Sequence, residues 1–258
     1  MPAADQAVRL LFSLAGSPRG RRSLSDLCRD TGIYKSKGYY LLNTLQRSGL
    51  VMRCEDTKAY ALGPGVLALS RAFLDHTDPG EMAAPYLEQL AETTASTALM
   101  GLITAGQVFV VAEREAPAGF GMSIRVGHRY PLTWGAHGKA IVAFLPPAER
   151  ELILAQGSGL FYGEAEGAPP DSQAVRDELD EAARLGYATD EGAMQQGINA
   201  VSAPVLDDRG RPGGCLLVVG AFPLSSATLF GEQVAAAARG LSAEVGPLLS
   251  QTRVKEDR

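Results

Sequence analysis

At 258 residues, 46% hydrophobic and 21% charged, the chain has the composition of ordinary globular domains, one large or two modest, rather than of a disordered or fibrous protein. Its cysteines, Cys28, Cys54 and Cys215, are scattered and form no CxxC pair, which argues against a disulfide framework or a structural zinc site. The net charge of −5 hides an asymmetry: Met1 to Gly63 holds ten Lys and Arg against five Asp and Glu, a net of +5, so the remainder carries −10.

A basic segment joined to an acidic one implies two jobs, with polyanion binding confined to the first. No signal peptide, lipidation motif or apolar run of about 18 residues appears, so the expected location is the cytoplasm, with no membrane partner.

Gln6 to Leu14 carries Val8, Leu11, Phe12 and Leu14 at helical spacing and predicts a first helix. Arg19-Gly20-Arg21-Arg22 follows as a basic loop, read equally as a phosphate contact or as a solvated charge run. Ser23 or Ser25 can cap a short helix whose Leu24, Leu27 and Cys28 lie on one face, and Thr31-Gly32-Ile33 then turns the chain. A second helix is predicted from near Tyr34 to Ser48, with Gly38, Leu41, Leu42 and Leu45 inside about a quarter of the circumference.

The opposite face carries Ser36, Tyr40, Asn43 and Arg47, flanked by Tyr39 and Gln46 and edged by Lys35 and Lys37, as a recognition helix in a major groove requires. Leu50–Arg53 and Lys58–Leu62 alternate like two strands of a wing across Glu55-Asp56-Thr57. Residues 1–63 therefore read as a winged helix-turn-helix for double-stranded DNA. The candidate contacts are Ser25, Lys35, Ser36, Lys37, Tyr39, Tyr40, Asn43, Arg47 and Lys58.

Residues 64–78 predict a linker helix whose stripe Val66, Leu69 and Phe73 has no evident partner within the chain; a second copy would supply one. From Pro79 a second domain begins. Expected helices are Glu81–Thr94, Ala140–Leu145, Asp171–Leu185 (Val175, Leu179, Ala182 and Ala183 inward) and Leu229–Leu249. Expected strands are 98–103, 108–113, 122–126, 200–206 and 214–219, with a Gly- and Pro-rich loop over 157–170. Hairpins with interspersed helices predict an α+β fold built on an antiparallel sheet.

Pro131 to Lys139 ends in Gly-Lys but lacks the first glycine and the final Ser or Thr of a phosphate-binding P-loop. What remains is a glycine-bearing loop running into a helix N-terminus, which favours a carboxylate without cofactor or metal. A close helix–sheet contact that needs small residues explains the same glycines equally well. His137 has no companions at metal-ligand spacing and is either a hydrogen-bond donor to a bound molecule or an ordinary buried histidine.

The chain resembles the isocitrate lyase regulator (IclR) family of bacterial transcription factors over nearly its whole length. The resemblance rests on Leu27–Val51, Tyr60-Ala61-Leu62-Gly63, Tyr130-Pro131-Leu132 with Gly138-Lys139-Ala140, Gly186–Asp190, and Gly197–Val205. Two positions depart from the family pattern: Tyr40, where Arg is usual, and Ala193, where Glu is expected.

The resemblance implies a winged helix, a linker helix, and a GAF-like effector domain, assembled as dimers or tetramers. It further implies an effector pocket lined by Met122, Tyr130, Ala136, His137, Asp190, Ala200, Leu217 and Val219. Leu217, Val219, Met122, Tyr130 and nearby Trp134 make that pocket apolar, which suits a small organic acid with an aromatic or alkyl body. Against this regulator stand two other readings. One is an enzyme with a DNA-binding appendage, for which no Gly-x-Ser-x-Gly, Ser-x-x-Lys or His-Glu-x-x-His motif is present. The other is a DNA-binding protein whose second domain only oligomerises.

Overall fold

The structure, a computed structural model, describes residues 2–76, 78–116, 124–155, 161 and 172–252. It divides into two compact units, Met1–Asp78 and Pro79–Arg258.

The first unit runs α1 (Ala3–Ala15), α2 (Leu24–Thr31), α3 (Lys35–Arg47), β1 (Val51–Arg53), β2 (Tyr60–Leu62) and α4 (Gly65–His76). Ser23, not Ser25, caps α2: its hydroxyl accepts the Asp26 N–H at 3.1 Å. Gly32 ends the helix in the left-handed conformation at φ +68, which costs little without a Cβ. Gly38, Leu41, Leu42 and Leu45 form the buried stripe of α3. At Gly38 a Cβ would stand 2.5 Å from Cys28 Sγ, so α2 and α3 approach each other through a glycine.

Leu10 and Leu14 complete this core from α1, whereas Val8 and Phe12 are exposed, which corrects the stripe expected for that helix. The expected set mixed two faces: positions 8 and 12 form one row, 10 and 14 another. The loop before α2 also joins the wing. Arg22 and Tyr60 exchange backbone hydrogen bonds of 2.9 and 2.8 Å, a third rung beside β1 and β2 that the charge run had concealed.

The second unit is one antiparallel sheet of six strands in the order β5-β4-β3-β8-β7-β6. The strands are β3 (Thr97–Thr104), β4 (Gln107–Arg114), β5 (Arg129–Pro131), β6 (Ala188–Glu191), β7 (Asn199–Leu206) and β8 (Pro212–Gly220). Side chains alternate between its faces. Ala98, Met100, Val201, Leu216 and Val218 join the core shared with α5 (Pro79–Thr94) and α9 (Ala227–Thr252). Leu99, Leu217 and Val219 point the other way, toward α6 (Gly135–Ala143). A register shift between Met100 and Gly101 leaves Val111 as an extra residue, so Val110 and Ala112 serve opposite faces of the sheet despite being two apart.

Helices α7 (Pro147–Leu154) and α8 (Ser172–Leu185) complete the unit. Four sequence expectations are corrected here. Residues 124–126 are not a strand; the edge strand is β5, which pairs with β4. Helix α6 starts at Gly135, five residues before the expected Ala140. Pro147 opens α7 instead of only ending the helix before it, because a proline at the first helical position gives up no needed N–H. On α8, Val175, Leu179 and Ala182 are buried but Ala183 is exposed. The expected 157–170 loop lies outside the described residues, save Phe161.

Candidate functional site

Two groups of candidate residues stand out, one exposed in the first unit and one buried in the second. On α3 the stripe at Gly38, Leu41, Leu42 and Leu45 turns inward, which forces Lys35, Ser36, Lys37, Tyr39, Tyr40 and Arg47 outward. Tyr40 is 65% exposed, and Asn43 is half-buried at the edge of this face. Ser25 on α2 and Lys58 at the wing turn, at φ +54, are exposed as well. Tyr34, the N-cap of α3, is 85% exposed and was not among the candidates; its signal was an aromatic residue directly ahead of a recognition helix. The wing is pinned by buried Tyr60, with the Arg53 guanidinium 5.5 Å from its ring centroid.

In the second unit, Tyr130, Ala136, Ala200, Leu217 and Val219 meet in one apolar cluster on the α6 side of the sheet. Leu99, Val110, Ile124 and Ile198 belong to it too and went unrecognised. The strand pairings that join Leu99 to Leu217 and Ala200 to Val219 are what unite them. Met122 lies outside the described residues.

His137 and Asp190 stand beside this cluster. His137 is buried on α6, its Nε2 3.1 Å from the Pro131 carbonyl oxygen. A carbonyl only accepts, so Nε2 carries the proton and Nδ1 keeps a lone pair. Burial pulls the imidazole pKa from 6.5 down to about 4 against the opposing pull of that carbonyl.

Asp190 lies opposite Ala200 in the β6–β7 pairing, and its Oδ1 accepts the Ala193 N–H at 2.8 Å. Ala193 thus serves Asp190 through its backbone. Burial raises the Asp190 pKa, opposed first by that N–H and then by the charge of Lys139. A Cβ on Gly135 would come within 3.2 Å of Asp190 Oδ2, so the protein's own carboxylate approaches the start of α6.

The Gly-Lys pair therefore sits inside α6 and not in a loop ahead of it. Gly138 is there for close packing: a Cβ would lie 2.7 Å from the Thr133 carbonyl carbon and 2.9 Å from the Leu132 oxygen. Lys139, buried, pairs with Glu178 at 2.7 Å and ties α6 to α8.

A run of rings leads into the cluster. Exposed His128 stacks on Tyr130 at 4.7 Å between centroids, and Tyr130 on Trp134 at 5.4 Å. Among the described residues no group of three or more His, Cys, Asp or Glu is placed to hold a metal, and no helix is long and apolar enough to cross a membrane. Burial pushes the Cys215 thiol up to about 12, which leaves it unreactive at neutral pH.

A winged helix with an exposed polar face on its second helix-turn-helix helix, joined to a separate antiparallel sheet unit, is the architecture of a DNA-binding transcriptional regulator. The chain belongs to the IclR family: residues 71–243 match the bacterial transcriptional regulator IclR C-terminal domain and residues 3–53 the IclR helix-turn-helix domain. The glycerol operon regulatory protein of Streptomyces griseus is 29% identical over 216 residues, 84% of this chain and 83% of its own length.

Two solved structures share the fold. An IclR transcriptional regulator from Alicyclobacillus acidocaldarius superposes with a TM-score of 0.82 at 23% identity, over 94% of this chain and 98% of the other. An IclR homolog from Microbacterium hydrocarbonoxydans, complexed with 4-hydroxybenzoate, does so with 0.76 at 20% identity, over 95% and 99%.

Proposed function

We propose that residues 1–63 dock α3 in the major groove of an operator, that 64–78 link and pair subunits, and that 79–258 sense a small organic acid with an aromatic or alkyl body. The observation that carries this reading is the single apolar cluster that gathers Tyr130, Ala136, Ala200, Leu217 and Val219, with buried His137 and Asp190 beside it. The 4-hydroxybenzoate bound by the Microbacterium hydrocarbonoxydans homolog belongs to the same chemical class.

Leu69 and Phe73 of α4 are 62% and 51% exposed and share a face with half-buried Val66, a stripe that a second copy covers in a dimer or tetramer. Effector binding then shifts the population between two spacings of paired recognition helices, one of which fits the operator half-sites. The protein works in the cytoplasm as a repressor released by its ligand.

Calorimetry of the full chain with 4-hydroxybenzoate, benzoate and short aliphatic acids tests the sensing half. Val219→Ser, which sets a hydroxyl against the ligand body, weakens the binder by about 1–3 kcal/mol and leaves DNA binding intact. A chain that binds none of these acids, yet stays oligomeric and binds DNA, belongs to the purely oligomerising reading.

A further inference from the structure

Unit one holds a second cationic feature away from α3. Between the end of α1 and the start of α2 a groove of about 360 Å³ is lined by Ser17, Arg19, Arg21, Ser23, Asp26 and Ala59, the last from the wing. Its loop is built to hold shape. The Gly20 N–H donates to the Ser17 carbonyl at 3.0 Å, with Gly20 at φ +64, and the Ser17 hydroxyl donates to the Arg21 carbonyl at 3.1 Å.

Arg22, next along, is fastened three ways: its backbone to Tyr60, and its guanidinium to the Ser13 hydroxyl at 2.9 Å and to the Asp30 carboxylate. Asp26, the acid among the lining residues, is engaged by the Ser23 hydroxyl at 2.7 Å and by Arg29 at 2.6 Å. The exposed guanidiniums of Arg19 and Arg21, by contrast, have no hydrogen-bond or ion-pair partner among the described residues.

We infer that Arg19 and Arg21 form a second anion grip that takes backbone phosphates of the duplex flanking the segment under α3. Three structural facts meet here. The loop is tied to both α2 and the wing, which border the recognition helix in chain order and share its core. The neighbouring charges are spent on internal pairs, so these two remain for an outside anion. The loop's hydrogen bonds also fix its backbone before binding, which lowers the ordering cost of the contact. Phosphate contacts of this kind set register and orientation without reading sequence. The inference rests on the proposed docking through α3, and the test separates the two.

The test is fluorescence anisotropy of the full chain on a mixed-sequence DNA duplex, titrated from roughly 50 to 200 mM salt. Each phosphate contact contributes about 0.9 to the slope of log K against log salt, so Arg19→Ala with Arg21→Ala flattens the slope by about 2 and weakens binding several-fold. Arg19→Lys with Arg21→Lys restores most of it. Arg125→Ala with Arg209→Ala removes the same charge from exposed positions of the other unit and leaves the slope unchanged.

A wild-type slope in the Arg19, Arg21 variant overturns the inference, as does an equal flattening in the Arg125, Arg209 control. If Lys35→Ala with Lys37→Ala still flattens the slope, docking through α3 stands without the second grip; if neither pair does, both fail. Because both side chains are exposed and unpaired, the melting temperature of the Arg19, Arg21 variant stays at the wild-type value.

Discussion

Helices α3 and α6, one from each unit, differ in how they are buried. Helix α3 buries one stripe and leaves the rest in water, so its function sits on the face that its core residues exclude. Helix α6 is buried along all nine residues, including His137 and Lys139, so it leaves no face open to solvent. An exposed recognition face tolerates change and communicates by charge. A helix buried on every side is held by packing, and every polar group on it needs a partner.

The largest expected effect tests the cost of that burial. The unfolded His137 imidazole takes its proton near pH 6.5 and the folded one only near 4, so between these values the unfolded state holds more protons and stability falls as pH falls. Across the window this amounts to about 3 kcal/mol, and His137→Gln flattens it in calorimetric melts. Asp190, whose pKa burial raises, acts with the opposite sign at the acid end. A variant as pH-sensitive as wild type would mean that the buried neutral imidazole is not the source.

Next come the paired glycines. Gly138→Ala drives a Cβ into the backbone of Leu132 and Thr133, whereas at Gly38 the one clash is with the Cys28 sulfur, Leu24 and Ile33 lying at ordinary contact distance. Both cost about 1–3 kcal/mol, with Gly138→Ala at the upper end. Adding Cys28→Ala rescues the second in a double-mutant cycle, and no single side-chain deletion rescues the first. Equal rescue of both would erase the contrast between the helices.

The smallest effect concerns capping. Ser23→Ala removes the side-chain cap of α2 and costs about 1 kcal/mol, seen as a lower melting temperature. Trp134, the N-cap of α6, makes no side-chain cap bond, so Trp134→Phe leaves that helix end unaffected.

The same contrast explains what was legible in the sequence. The period of Gly38, Leu41, Leu42 and Leu45 announced α3, since a half-exposed helix alternates apolar and polar residues at its own period. Helix α6 has no such period, being buried throughout, and its first five residues read as loop. Helix α7 buries no residue fully; Ile153 and Leu154 pack against the margin of the α6–α8 cluster, and its charge pairs, such as Glu149–Arg211 at 2.6 Å and Arg150–Asp180 at 2.8 Å, span distances in sequence that no local pattern reveals.

The gathering of Tyr130, Ala136, Ala200, Leu217 and Val219 was visible only through family resemblance, for they come from four elements and meet through strand register. Leu99 and Val110 share that face. Leu99 follows from the register of β3, but Val110 sits where the extra residue at Val111 switches faces, and a strict alternation misassigns one side of it.

Trp134 is the chain's sole tryptophan, and it stands at the entrance to α6 with its indole stacked on Tyr130. Intrinsic emission excited at the indole band therefore arises from the sheet unit alone, with no contribution from the winged helix. Under the proposed function, ligand uptake beside Trp134 and DNA engagement become separately observable with an unlabelled protein, the first as a change in that emission and the second as tumbling of a tagged duplex.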